Sequence, residues 1–176
     1  SVAALSPATA GAPAGLAALD ASTGEFRGTS ESGDAEPGWV PPLLLEELQR
    51  IAPRELLMET SALETLGESL TKILPDCVLT PISAVSFDPN GVPVEPEGFA
   101  DCASEGVKRA ASALLAYLGE NQPFALSHAP RLTHYELGET VILDASTREH
   151  LELFRNSEDG GRKGSLIEAL DRTRTP

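Results

Sequence analysis

The sequence predicts an α/β domain. Three observations carry that prediction: short apolar runs joined by a tight turn near the start, two leucine-rich helical faces each ended by proline, and an apolar segment after each of those helices. A chain of 176 residues with 41% hydrophobic content is long enough for one packed core. Aromatic residues make up only 5%, so that core must rest on Leu, Ala, Val and Ile.

Residues 2–5 are apolar and read as a strand, and residues 6–15 as a loop of small residues. Residues 16–19 and 25–29 then pair as a hairpin around the turn at 20–24 (DASTG), where Asp and Ser precede a glycine. The simplest assembly is a meander running from an edge of the sheet toward its middle. Residues 30–42 are polar and rich in Gly and Pro, which predicts a loop. Pro41 and Pro42 suit the first turn of a helix, Leu44, Leu45, Leu48 and Ile51 fall on one face of it, and Pro53 ends it. Residues 54–59 read as a buried strand. Leu63, Leu66, Leu70, Ile73 and Leu74 form a second amphipathic face closed by Pro75.

Residues 77–82, and on through Phe87, read as extended. Residues 88–98 hold three prolines and two glycines, which excludes a stable helix. Val107, Ala110, Ala111, Leu114, Leu115 and Leu118 make an apolar stripe on an alanine-rich helix able to pack close to its neighbour. Residues 141–143 read as extended, with Asp144 as N-cap of a helix reaching about Phe154. Leu166, Ile167 and Leu170 mark a further helical face. The order strand, strand, strand, helix, strand, helix, strand is that of a ribonuclease-H-like sheet, an antiparallel hairpin leading into helix crossovers.

The formal net charge is −14. Residues 1–138 hold 19 acidic and seven basic side chains, a balance of −12, whereas residues 139–176 hold eight and six, a balance of −2. The unevenness predicts a boundary near Leu137 and Gly138. It also speaks against a broad grip on a DNA backbone, which needs clustered Lys and Arg. Cys77 and Cys102 stand without CxxC spacing and read as reduced thiols. No signal peptide is visible and no apolar run approaches the length of a membrane span, so a cytoplasmic protein without membrane contact is expected.

The sequence supplies no catalytic, cofactor-binding or metal-binding site. A two-metal nuclease, the chemistry this fold class often hosts, needs converging carboxylates that usually include one on the first strand. Residues 2–5 carry none; Asp20 reads as a turn residue, and Asp76 and Asp101 as loop residues. His128, His134 and His150 lack metal-ligand spacing with one another or with the cysteines. Ser22 and Ser61 have no nucleophile-elbow setting. Residues 160–165 (GGRKGS) fail the phosphate-loop pattern because Gly164 follows Lys163; Ser165 reads as a helix cap instead. Arg172 and Arg174 suit DNA phosphates or acids of another domain equally. The pattern 160–176 (GGRKGSLIEALDRTRTP) stops inside a continuing helical run, which predicts a piece of a larger chain.

Several blocks in order resemble the MutS DNA mismatch-repair family: residues 16–26 (LAALDASTGEF), residues 45–48 (LEEL) with 53–57 (PRELL), residues 112–122 (SALLAYLGENQ), and the C-terminal runs 141–153 and 160–176. The Pro-rich stretch between Phe87 and Val107 departs from the family, which often has a helix and a Phe-Gly-centred segment there. The resemblance implies a connector domain over residues 1–138, followed by the first strand and helices of an all-α core or lever domain over 139–176. It implies no enzyme activity for this segment, and ATPase activity, with ATP and magnesium, for a full-length parent. The implied partners are the other MutS domains, MutL, mismatched double-stranded DNA and a second parent subunit. Within such a parent the connector relays conformational change and offers a surface to MutL; a joint near Leu137 to Glu139, suggested by Gly138, would let it swing. Two other readings stand beside it: a divergent ribonuclease-H-like metal-dependent nuclease, and an unrelated acidic interaction module.

Overall fold

The computed structural model describes residues 1–31, 36–126 and 130–138. The strand and helices expected beyond Gly138, the loop residues 32–35, His128, His150, the 160–165 run and Arg172 with Arg174 lie outside the described residues.

Three layers build the molecule. Its centre is a mixed six-stranded sheet in the order β5-β4-β1-β2-β3-β6. The first three strands, β1 (Val2–Ser6), β2 (Ala14–Asp20) and β3 (Glu25–Glu31), form the antiparallel meander. The hairpin turns where expected: the Asp20 carboxylate accepts from the Ser22 backbone N–H at 2.8 Å, and Gly24 takes a φ of +71° that a side chain would strain. The meander does not begin at an edge, contrary to the sequence reading. β1 lies inside the sheet because β4 (Glu55–Glu59) pairs with it in parallel, and β5 (Val78–Ile82) pairs with β4. β3 also runs on through Ser30 and Glu31, which the sequence assigned to a loop; their pairing with Gly15 and Ala14 outweighs a polar composition.

Alternation along the strands sorts the core into two halves. On one side Ala3, Leu5, Leu16, Ala18, Leu56 and Met58 face α1 (Pro42–Ile51) and α2 (Thr60–Ile73). On the other, Ala4, Ala17, Phe26 and Leu57 face α3 (Glu105–Asn121). α1 starts with Pro42 at its first position and stops at Ala52, whose left-handed φ of 46° precedes Pro53. On α2 the periodic leucines are not equivalent. Leu70, Ile73 and Leu74 are buried, while Leu63 and Leu66 sit half-covered at the rim. All six residues of the α3 stripe are buried, and Ser104 caps that helix through the Val107 N–H.

Two stretches depart from the sequence reading. Residues 84–87 are not extended: Ala84–Phe87 forms a 3-10 turn, capped by the Ser83 hydroxyl accepting from Val85 N–H, which drives Phe87 into the core beside α3. The sequence also missed α4 (Pro123–Leu126) and β6 (Leu132–His134), which pairs in parallel with β3 and extends the sheet at that edge.

Candidate functional site at the exit strand

The sequence-derived site residues do not converge. Asp20 sits in its turn, its carboxyl held below the usual range by the Ser22 hydroxyl. Ser61 donates to Glu59 at 2.8 Å. Asp101 lies in the loop before α3, and His134 is exposed on β6. Both cysteines are free thiols: Cys102 is buried beneath α3, whereas Cys77 shares with Asp76 the lining of a groove of about 530 Å³ beside the ends of α1 and α2. Burial, with Glu55 nearby, pushes the Cys77 thiol up. Among the described residues no three His, Cys, Asp or Glu side chains stand close enough to hold a metal ion.

A connected polar arrangement lies where the chain leaves the sheet. After β6, the Tyr135 backbone N–H donates to the Gly28 carbonyl at 3.0 Å, continuing the strand pairing by one bond. The Tyr135 hydroxyl then reaches across to α1 and donates to the Glu47 carboxylate, a partner 88 positions away in sequence. Glu47 is buried, with only 7% of its surface exposed, so its charge requires compensation. Arg50, one helical turn later, supplies it with two bonds, Nε at 2.8 Å and a terminal nitrogen at 2.5 Å. From β3, Arg27 stacks over the Tyr135 ring at 5.8 Å from its centre.

The electrostatics follow from this geometry. The Arg50 hydrogen bonds hold the Glu47 carboxyl below the usual glutamate range against the opposing effect of burial, and Tyr135 adds to the lowering. Burial first, and the bond to Glu47 second, push the Tyr135 phenol above its ordinary value. At neutral pH the bond therefore joins a protonated phenol to an ionised carboxylate, the charge-assisted and stronger kind.

Further contacts hold the same segment. Leu132 is buried in the α3 side of the core, and its N–H donates to the Glu97 carbonyl at 2.8 Å. Arg131 meets the Glu97 side chain at 3.0 Å on the surface. Leu137 packs on the opposite half of the core, against the cluster beneath α1. The segment is thus fastened to both faces of the sheet. Gly138 differs: it is exposed, and a side-chain carbon built on it would meet nothing within 4 Å. Sequence reading singled out Gly138 but missed Glu47 and Tyr135. The only signal was a glutamate beside leucines on an otherwise apolar helical face.

No family model matches the chain. Curated relatives do. The chain is 39% identical to the DNA mismatch repair protein MutS of Syntrophobacter fumaroxidans, over 99% of its own length and 20% of that protein's. It is 36% identical to the MutS of Myxococcus xanthus over 92% of the chain and 18% of the relative. It is 34% identical to the MutS of Symbiobacterium thermophilum over 92% and 19%. The chain therefore spans about a fifth of the length of these relatives.

Proposed function

This chain belongs to the MutS family of DNA mismatch repair proteins, as the counterpart of about a fifth of their length, and from that premise we propose that residues 1–138 are the connector of a mismatch-recognition protein. The segment links a mismatch-binding domain to the core and ATPase, relays conformational change between them, and presents a surface to MutL. Residues 139–176 begin the core domain. Mismatched DNA, a second parent subunit, ATP and magnesium are partners of the whole parent.

The observation that carries this reading is the contrast at the exit. Residues 131–137 are fixed to the sheet through Leu132, Tyr135 and Leu137, whereas the next residue, Gly138, is exposed and uncrowded. A rigid sheet with a fixed exit transmits force, and a glycine immediately after it lets the body turn. The position of β1 supports a relay over a nuclease. That strand occupies the sheet interior with Ala3, Ala4 and Leu5 fully buried and no carboxylate to offer a metal. The −12 balance of residues 1–138 supports placing this body away from the DNA backbone.

Titrating the 176-residue chain separately with its source's MutL and with mismatched duplex tests the reading. Binding to MutL, with no tight salt-dependent binding to the duplex, is the expected result. Tight DNA binding that weakens steeply with salt would overturn it.

A further inference from the structure

We propose that Tyr135 and Glu47 form a latch that fixes the pivot at Gly138, and that opening this latch frees the exit strand and moves the pivot back to the start of β6. The inference rests on the connector reading for its consequence, but the latch itself is a property of this chain alone.

The exit strand's backbone is held over a short length, by its pairing with β3 and by the Leu132 and Tyr135 N–H bonds to the Glu97 and Gly28 carbonyls. β6 has only three residues, lies at the sheet edge, and exposes Thr133 and His134. The Arg131–Glu97 pair is solvent-exposed on both partners, the kind of ion pair that contributes little. What remains is Leu132 at one end and the Tyr135–Leu137 end at the other. At that second end the Tyr135 hydroxyl bonds the buried Glu47 carboxylate. Its acceptor is itself immobilised, because Arg50 grips Glu47 through two nitrogens on the same helix. Arg27 completes the seat by lying over the ring from β3. Tyr135 thereby ties three elements, β3, α1 and the exit segment, at a single side chain. Tyr135 and Glu47 are positioning residues: they set where the following chain leaves the sheet.

Removing only the hydroxyl separates this role from general packing. In the 176-residue chain, Tyr135→Phe keeps the ring over Arg27, and Glu47→Gln keeps the shape of the acceptor. Amide hydrogen exchange across residues 130–138 reads the latch, with β1 and β4 as internal references. Tyr135→Phe is expected to exchange this segment about ten- to a hundredfold faster, as the loss of one hydrogen bond to a charged group gives, and Glu47→Gln, whose amide oxygen still accepts from the phenol, by a smaller factor, while β1 and β4 stay unchanged. The double variant is expected to exchange no faster than Tyr135→Phe alone, because Glu47→Gln only weakens the bond that Tyr135→Phe removes. Unchanged exchange in Tyr135→Phe, or an equal rise across the whole sheet, overturns the latch. Faster exchange confined to 130–138 together with an unaltered rate of ATP-dependent sliding-clamp formation on mismatched DNA by the full-length parent carrying Tyr135→Phe upholds the latch and counts against the connector reading instead.

Discussion

Gly15 on β2 and Gly106 on α3 meet backbone to backbone. A side-chain carbon built on Gly15 would overlap the Gly106 carbonyl and lie 2.7 Å from the Val107 nitrogen. One on Gly28 would lie 2.5 Å from a Val107 methyl. The helix therefore rests on the sheet without intervening side chains at this point, and Ala110 and Ala111 continue the close approach. Gly15→Ala is expected to lower stability by about 1–3 kcal/mol, since no flexible side chain can yield. Gly11→Ala, in open space, is expected to change it by less than ~0.5 kcal/mol. Urea unfolding of both variants measures the difference.

The leucines of α2 give a second comparison. Leu70→Ala empties a fully buried site and is expected to cost about 2–5 kcal/mol. Leu63→Ala trims a half-covered rim residue and is expected to cost under ~1.5 kcal/mol. Equal losses in urea midpoint would show that the periodic face is uniformly buried, as the sequence alone suggests.

That comparison marks the limit of sequence reading here. Hydrophobic period and proline position located α1, α2, α3, β1 to β3 and β4, because each element has its own signal within a few residues. The same period could not grade Leu63 against Leu70, since burial depends on which strand lies opposite. β6 was missed because a three-residue strand with only Leu132 buried has no alternation to detect. Residues 84–87 misled through their apolar spacing; the Ser83 cap that curls them into a turn competes locally with extension. The meander was placed at an edge because nothing in residues 2–5 announces that β4 will pair with them. Glu47 and Tyr135 lie 88 positions apart, and no local pattern joins them.

Acid should act on the Tyr135–Glu47 latch with a definite sign. The Glu47 carboxyl is held below its ordinary value, so the stability it contributes is fully present above the unfolded glutamate value and is lost as pH falls through the folded value. Urea midpoints of the wild type are expected to fall across that window more steeply than those of Glu47→Gln. Parallel curves for the two proteins would remove Glu47 from the acid response.

Glu31 carries the opposite sign. Burial raises its carboxyl, and one oxygen, Oε2, has no hydrogen-bond partner among the described residues while out of contact with solvent. A raised carboxyl value means that the folded state is penalised once pH exceeds the unfolded value, with the full penalty present above the folded one. Glu31→Gln is therefore expected to be more stable than the wild type at pH 7, with the gap closing as the pH falls. A variant less stable than wild type at pH 7 would mean that the ionised carboxylate serves a bond of its own.

The connector reading is tested most directly in the full-length MutS parent carrying Gly138→Pro. Rate of ATP-dependent sliding-clamp formation on mismatched DNA is the quantity to measure, with Gly11→Ala as control. Proline stiffens the one exposed, uncrowded residue that follows the fixed exit strand, and the rate is expected to fall about tenfold, equivalent to ~1.4 kcal/mol in the barrier. A clamp that forms at the unaltered rate would contradict a relay that pivots at Gly138.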